Sequence, residues 1–426
     1  MAIYFGFIGV YLVFYVPTSS KALEARDARH LLARTGFGLP RPDEIAALKG
    51  LNREEAIESL IRSIRTEAAM PPPSWVAEPM PTWKVRKTWT ESQKRRFNKR
   101  NRARWRELQT WWASEMLTTP TPITERLVLF WHNHFTSSFD TVKWVPLLYK
   151  QNLTLRLHAA GNFRELLDAM VRDPAMLFYL DGRRNRAKKP NENFARELLE
   201  LFTMGEGQGY TEQDIREAAR ALSGWTVNFQ TLTPTFRKKH HDSGEKMLLG
   251  RSGHLNSNDV LDIILSHYRP ARYMAERFYR VFVGKVPHGP TIEAVARDFR
   301  ASNYSVRVLL RSLLNSQAFW ADQNRGQKIK SPVDIVVGLA RFSRWEGGVA
   351  PLVKRMNGMG QKLFRPPNVK GWPGGTAWIS TFSLKKRNGF VYALTKVLGR
   401  SGSDMGGMGR TTTQSHLISA GPERTP

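Results

Sequence analysis

The sequence contains no cysteine, and this absence removes several classes of chemistry. Disulfide bridges, a thiolate nucleophile and zinc held by cysteine are all excluded. The spacings HExxH, GxSxG and GxGxxG and the P-loop pattern are missing as well. The chain therefore carries no signature of a zinc protease, an α/β-hydrolase, a dinucleotide-binding fold or a P-loop nucleotidase.

Acidic residues are few relative to basic ones. There are 37 Asp and Glu against 65 Lys and Arg, which gives a formal net charge of +28. A chain of 426 residues is long enough to bury a large core, and its composition is that of a globular protein. The charge predicts association with anions, such as nucleic acid, acidic lipid headgroups or anionic glycans.

The sequence also has little that could cross a membrane. Residues Met1 to Val16 are nearly all apolar, but a membrane helix needs roughly 20 such residues. Ser20-Lys21-Ala22 follows and gives the small-x-small pattern of a cleavage site. We therefore expect residues 1–22 to be a signal peptide, the protein to be exported to the periplasm or the exterior, and no integral membrane span. A buried or interfacial N-terminal segment is the alternative.

Apolar residues recur with the period of an α-helix along most of the chain. The pattern predicts a mainly α fold, a large helical array or bundle with one short β-hairpin insertion over Thr226–Gly250 and Pro/Gly-rich loops. We expect a single helical domain over residues 23–398, with a Pro-rich and basic connector at 70–92 inside it. The Gly- and Ser-rich residues 399–426 are expected to be a disordered tail.

The most basic segment runs from Trp83 to Trp112. Its cations alternate with Trp89, Phe97 and Trp105, a pattern typical of polyanion surfaces on which bases or sugars stack. The alternative is a long helix whose basic face is solvated and whose aromatic residues belong to the core.

The region from Pro190 to Trp225 reads as two strong helices joined by a glycine turn. Thr211 and Asp214 form a capping-box pattern at the start of the second helix. A basic loop leads into Asn191, the expected N-cap of the first helix, so cations and free N–H groups meet there. The residues predicted to bind an anion are Arg183, Arg184, Arg186, Lys188, Asn191 and Arg196. The alternative is that Asn191 only caps the helix and Glu192 only complements its dipole.

Two histidines end a predicted helix that begins with Thr121 as N-cap and Pro122 at its first position. On a continuous helix His132 and His134 point roughly 200° apart and cannot share a metal ion, whereas an extended backbone would put them on one face. A divalent metal held by His132, His134 and Asp181 is therefore one hypothesis. Satisfied buried histidines are the other.

Seven motifs, in order, make the chain resemble the bacterial family called domain of unknown function 1800 (DUF1800) from about Ala28 to Arg387. They are ARHLLARTGFG, LFWHNHF, RDPAMLFYLDG, PNENFARELLELFTMG, YTEQDIREAARALSGW, HHDSGEKMLLG and PPNVKGWPGG. The resemblance implies a large, exported bacterial protein, often encoded beside an exported family that resembles alkaline phosphatases, and such a protein is a candidate partner. It implies no catalytic residues.

The motif residues allow two kinds of function. As an enzyme, hydrolase-like or metal-assisted and acting on an anionic envelope substrate, the protein would use His132, Glu192, Glu197, His241 and Asp242 for catalysis. This requires the start of the 190–204 helix to meet the 131–134 segment and the His241-Asp242 turn. The alternatives are a non-catalytic scaffold that binds a polyanion or glycan, and a cytoplasmic nucleic-acid-binding protein.

Overall fold

The computed structural model describes residues 21–403, with side chains described through residue 395. This part of the chain is mainly helical, which confirms the predicted fold class. None of the helices in this range combines the length and the hydrophobicity that a membrane span requires. The expected signal peptide lies almost entirely outside the described residues, as does the expected tail beyond residue 403.

In the described chain, ten α-helices precede residue 180. They are α1 (Ala25–Thr35), α2 (Pro42–Ala46), α3 (Arg53–Arg62), α4 (Trp83–Lys87), α5 (Glu91–Thr118), α6 (Pro122–His134), α7 (Phe139–Val142), α8 (Val145–Leu157), α9 (Phe163–Arg172) and α10 (Pro174–Tyr179).

Ten more α-helices follow within the same range, together with a π-helix at Leu198–Thr203. The helices are α11 (Asn193–Glu197), α12 (Glu212–Ala221), α13 (Ser257–Ser266), α14 (Arg269–Phe282), α15 (Gly289–Ala301), α16 (Val306–Asn315), α17 (Gln317–Trp320), α18 (Pro332–Phe342), α19 (Val349–Gly358) and α20 (Thr381–Ser403). The described residues up to Ile379 form one compact unit, and those from Ser380 form another.

Four short strands in residues 21–403 make two antiparallel hairpins. Strands β1 (Trp225–Asn228) and β2 (Thr233–Phe236) form the first, and β3 (Lys246–Leu248) and β4 (Arg251–Gly253) form the second. The strand content expected over Thr226–Gly250 is thus present as two hairpins. The segment from His240 to Asp242 lies between the two hairpins.

Helix α6 is the centre of the larger unit. Ten consecutive residues, Ile123–His132, are buried on all sides of the helix, as expected for an element surrounded by other helices. The helix continues through His134, so the alternative of an extended backbone at the two histidines is wrong. A buried ion pair joins α6 to α8. Arg156 of α8 donates to Glu125 of α6 from Nε and from Nη2, each at 2.9 Å.

Helix α1 is held by a distant part of the chain. The ring Nε2 of His30 lies 2.9 Å from the carbonyl oxygen of Phe319, and Arg325 donates to Asp27 at 2.7 Å. Arg34 donates to the carbonyl oxygen of Asn324. These contacts join residues about 290 positions apart, so residues 319–325 hold the N-terminal helix in the core together with its contacts to α2, α6 and α14.

The first helix of the 190–225 region changes its winding after one α-helical turn. Over Leu198–Thr203 the backbone is a π-helix, in which Met204 donates to the carbonyl of Leu199, five residues earlier. Carbonyl groups of this turn also accept hydrogen bonds from outside the helix. The ring Nε2 of His134 lies 3.0 Å from the carbonyl oxygen of Phe202, and the hydroxyl of Tyr273 donates to that of Leu201. These outside contacts stabilise the wide turn.

Candidate functional site

The basic loop before helix α11 is held in one shape by the buried side chain of Asn185. Its amide group donates to the carbonyl of Ala219 at 2.7 Å, and its amide oxygen accepts from the backbone N–H of Asn191 at 3.0 Å. The backbone N–H of Ala187 donates to the carbonyl of His240 at 2.9 Å. The loop is therefore fixed to helix α12 and to the 3-10 turn Lys238–His240, and its cations are presented in a defined arrangement.

These cations line a groove of about 700 Å³, here named the loop groove. Four of the predicted anion-binding residues belong to it: Arg184, Arg186, Lys188 and Asn191. Arg184 lies 3.6 Å from Asp181, whereas no carboxylate in the described part of the chain pairs with the other cations of this groove. The complete lining is Arg184, Arg186, Ala187, Lys188, Lys189, Pro190, Asn191, Lys239 and His240.

A second basic groove, of about 380 Å³, adjoins the first and is named the helix groove. Arg183 lines this groove and Arg184 lines the loop groove, so the two meet at the 3-10 turn Gly182–Arg184. Among described residues, Arg86, Lys143 and Arg183 have no ion pair, and the Nε atoms of both arginines are buried without a hydrogen-bond partner. The full lining is Met80, Arg86, Trp89, Lys94, Phe97, Asn98, Thr141, Val142, Lys143, Phe178 and Arg183.

The local potential of both grooves is positive. Burial lowers the pKa of Arg183, and the neighbouring charges of Arg184 and Arg86 lower it further. The pKa of His240 is lowered in the same way, by desolvation first and then by the charges of Arg186 and Lys239. A bound anion would relieve this repulsion between like charges, which is the electrostatic property of an anion site.

Arg196 is the predicted anion-binding residue that the structure places elsewhere. Its guanidinium donates to both carboxylate oxygens of Glu212, at 2.8 and 2.7 Å, and it lies 3.3 Å from Glu192 and from Glu200. Hydrogen bonding to Glu212 raises its pKa above the ordinary value. Three carboxylates therefore neutralise Arg196, and it takes no part in the grooves.

The two histidines of helix α6 are buried in apolar surroundings. The ring of His132 is in contact with the rings of Trp112, Phe364 and Trp372, its Nε2 has no hydrogen-bond partner, and burial lowers its pKa to about 3. The ring of His134 stacks on Phe130, and burial also lowers its pKa. Both rings are thus neutral parts of the core.

The predicted metal site is not assembled. Nowhere in the described part of the chain does a group of three His, Asp or Glu residues have the geometry to hold a metal ion. His132 and His134 are buried, whereas the Asp181 carboxylate is partly exposed and faces Arg184. The helical backbone also separates the two ring directions, because α6 is continuous to its last histidine.

The residues predicted to be catalytic have separate partners. Glu192 pairs with Arg196, and Asp242 accepts from Arg220 at 2.8 Å and from the backbone of Gly244. His241 lies with Nδ1 3.0 Å from the carbonyl oxygen of Ser223. Burial and the nearby Glu200 raise the pKa of Glu197. Within the described residues no hydrogen bond or ion pair joins His132, Glu192 and Asp242, so the structure shows no direct contact among them and the acid/base site stays a prediction.

Most aromatic residues of the basic segment on α4 and α5 pack onto the protein, whereas Trp83 is 63% exposed. Phe97 stacks on Trp144 with ring centroids 5.6 Å apart, and Trp105 stacks on Phe139 at 5.1 Å. The indole N–H of Trp105 also donates to the carbonyl of Leu363. This is the arrangement of a long helix with a solvated basic face and core aromatics. Trp89 and Phe97 nevertheless remain at the edge of the helix groove.

Sequence reasoning placed Lys189 in the basic loop and Arg86 in the basic segment Trp83–Trp112, but it missed Asn185, which fixes the loop, and Lys239 and Lys143. Lys239 belongs to the run Arg237–Lys239, so local charge density could have indicated it. Arg86 and Lys143 come from separate segments and meet Arg183 only in the folded chain.

Residues 30–424 match the family model described as protein of unknown function (DUF1800). Comparison with curated proteins gave no match, and comparison with solved structures gave none.

Proposed function

The chain belongs to the DUF1800 family, and from that premise we propose that the protein binds an anionic polymer, such as an envelope glycan, along the loop groove and the helix groove. One observation carries the proposal. Seven cations line the two adjoining grooves without an ion pair in the described part of the chain. They are Arg186, Lys188, Lys189 and Lys239 in the loop groove and Arg86, Lys143 and Arg183 in the helix groove.

Charges of one sign on adjoining grooves suit a polymer better than a single small ion. A chain of anionic groups that contacts several cations at once releases the counterions condensed along its own charges, which makes binding strong at low salt. The edges of Trp89 and Phe97 give sugar rings or bases an apolar contact beside these charges.

Binding fits the contacts better than catalysis does. An acid/base mechanism needs its groups within hydrogen-bond reach of one another or of a shared substrate. His132 lies in the core, whereas Glu192 and Asp242 are occupied by arginines on the surface.

We propose in addition that the protein meets this polymer after export. The apolar run Met1–Val16 and the Ser20-Lys21-Ala22 pattern support this. Mass spectrometry of the mature protein should find an N-terminus near residue 23, and an intact Met1 in the exported fraction would count against cleavage.

The binding experiment compares two triple variants with the same change in charge. Arg186→Gln/Lys188→Gln/Lys189→Gln removes charge from the loop groove, and Arg95→Gln/Arg96→Gln/Lys99→Gln removes it from the exposed face of α5. Each lowers the net charge from +28 to 28 − 3 = +25. Affinity for a labelled heparin oligosaccharide is measured by fluorescence anisotropy from about 50 to about 200 mM salt.

We expect the loop-groove variant to bind more weakly and to reduce the slope of log K against log salt by roughly 2, since each lost contact contributes about 0.7. The α5 variant should change the slope by less than about 1. Equal losses of affinity in both variants would show that only net charge matters and would refute the proposal that the polymer binds in the loop groove. If single-stranded DNA bound more tightly than heparin at equal salt, the polymer that the grooves bind would be a nucleic acid and not a glycan.

A further inference from the structure

A third cavity, of about 350 Å³, lies away from both grooves and is named the Lys328 cavity. Its walls come from distant segments: helices α1, α6 and α14, residues 327–334, and the loop around Trp372. The volume is in the range of small-molecule sites in proteins. None of its lining residues belongs to either basic groove, so a ligand in this cavity would be independent of the polymer proposed above.

The inner end of the Lys328 cavity is charged. Arg126 and Asp334 form a buried ion pair there, and Arg126 also donates from Nε to the carbonyl of Gly36 at 2.8 Å. Arg34 is buried beside them and Lys328 is half-buried. Burial would raise the pKa of Asp334, but the charges of Arg126 and Lys328 hold it well below the ordinary value.

Cations outnumber carboxylates in this lining. Arg34, Arg126, Arg280, Lys285 and Lys328 line the cavity, and Asp334 is the one carboxylate among the lining residues. Arg126 already pairs with Asp334. In the described structure Arg280, Lys285 and Lys328 have no ion pair. Arg280 and Lys285 are exposed and stay solvated, so the unfavourable charge is that of the half-buried Lys328 ammonium near Arg126 and Arg34, which a bound anion would offset.

Another part of the lining is aromatic and firmly held, beside polar residues such as Gln327, Ser331 and Gln361. Phe130 and Trp372 line it, and the indole nitrogen of Trp372 is buried without a hydrogen-bond partner. The loop that carries Trp372 is fixed to α6, because the Trp372 backbone N–H donates to the side-chain oxygen of Asn133 at 2.6 Å. Gly371 allows this close approach, since a Cβ there would overlap Asn133 and the residue has φ +84°. The wall is therefore preformed.

We propose that the Lys328 cavity binds a small organic anion whose carboxylate, phosphate or sulfonate group lies at Lys328, Arg280 and Lys285 and whose apolar body packs on Phe130 and Trp372. The charges supply the recognition of the anionic group, and the aromatic wall selects a ligand larger than an inorganic ion. Arg126 and Arg34 are occupied by Asp334 and Asn324, so they hold the site and add positive potential.

The ammonium of Lys328 makes this binding dependent on pH. Burial and the charges of Arg126, Arg34 and Lys330 lower its pKa to about 7, against the opposing effect of Asp334. Arg280 and Lys285, on α14 and just after it, add positive charge from the other side of the cavity. Since an anion favours the charged amine, affinity should be highest below pH 7 and should fall as pH rises above it, by at most about tenfold per unit.

The test uses benzenesulfonate, whose charge is constant over the pH range, and benzenesulfonamide as its neutral isostere. Binding is measured by isothermal titration calorimetry at about pH 6 and about pH 8.5 with the full chain, on either side of the lysine pKa. Lys328→Met removes the ammonium at the inner end and Arg280→Gln removes an exposed charge of the lining. Lys354→Met, an exposed lysine outside the lining, is the matched control.

We expect Lys328→Met to weaken benzenesulfonate binding about tenfold or more at pH 6 and to abolish the pH dependence. Arg280→Gln should weaken binding while the fold, read by circular dichroism, is unchanged, and Lys354→Met should bind as the original chain does. The proposal is overturned if benzenesulfonate does not bind, if benzenesulfonamide binds equally well, or if folded Lys328→Met and Arg280→Gln both retain full affinity.

Discussion

Replacement of Arg156 by Met should destabilise the protein strongly, because it leaves a buried carboxylate without its partner. Arg156 is 0% exposed and Glu125 is 1% exposed, and their contact is bidentate at 2.9 Å. Arg156 also donates from Nη1 to Asn152 at 2.8 Å. Breaking one side of such a buried pair costs about 3–5 kcal/mol.

The expected change in melting temperature follows from the size of the protein. Unfolding entropy is about 2.1 cal/mol/K per residue, so roughly 380 described residues give about 0.8 kcal/mol/K. A loss of about 3–5 kcal/mol then lowers the melting temperature by about 4–6 °C, measured by circular dichroism or calorimetry.

A second substitution tests the reason for this loss. Glu125→Gln keeps an oxygen for the indole N–H of Trp112, which donates to Glu125 at 2.8 Å, and removes the charge. The Arg156→Met/Glu125→Gln double variant should therefore melt above Arg156→Met alone, within about 1–3 °C of the original chain. A double variant that melts lower than the single one, or a single variant that loses less than about 1 °C, would refute the inference of a desolvated ion pair.

Three further predictions concern single sites. Gly371→Ala should lower the free energy of unfolding by more than about 2 kcal/mol, because its φ is +84° and a Cβ would overlap Asn133. Gly374→Ala in the same loop is the control and should be nearly neutral. Equal melting temperatures for the two variants would contradict the attachment of this loop to α6. His132→Phe should weaken the loss of stability in acid. Burial lowers the pKa of His132 from 6.5 to about 3, so its contribution to stability is present above pH 6.5 and is lost as pH falls toward 3. The difference in melting temperature between pH 7.5 and pH 4.5 should therefore be smaller in the variant than in the original chain. Asp173→Asn should act in the opposite direction. Burial raises the pKa of Asp173 from 3.8 to about 7, so its contribution to stability is present below pH 3.8 and is lost as pH rises through 7. The variant should therefore be more stable than the original chain near pH 8 but not near pH 4.

Local sequence patterns predicted the helices well. The capping box at Thr211 and Asp214 is present, with Thr211 donating from its backbone to the Asp214 carboxylate at 2.8 Å. Such a pattern acts within four residues, so sequence is enough to identify it. The π-helix at Leu198–Thr203 was not predicted, because the contacts that support it come from His134 and Tyr273, about 70 residues away.

The site was predictable only in part, for the same physical reason. Four cations of the loop groove lie within residues 184–189, so their joint position could be predicted from composition, whereas Lys239 joins them only in the folded chain. Whether a cation is already neutralised depends on the folded chain, as Arg196 and Glu212 show. The Lys328 cavity could not be predicted, because its charges are separated by up to about 300 residues and carry no shared motif.

The attachment of helix α1 to residues 319–325 has a consequence for the order of events during synthesis. A ribosome adds about 5–20 residues per second, so residues 319–325 are made roughly 15–60 s after the helix that they hold. Throughout that interval Ala28 and Leu31, which are buried in the folded chain, have no partner from this segment. The apolar stripe of this otherwise charged helix therefore stays partly uncovered in the nascent chain, and we expect folding to be completed only after most of the chain has been synthesised.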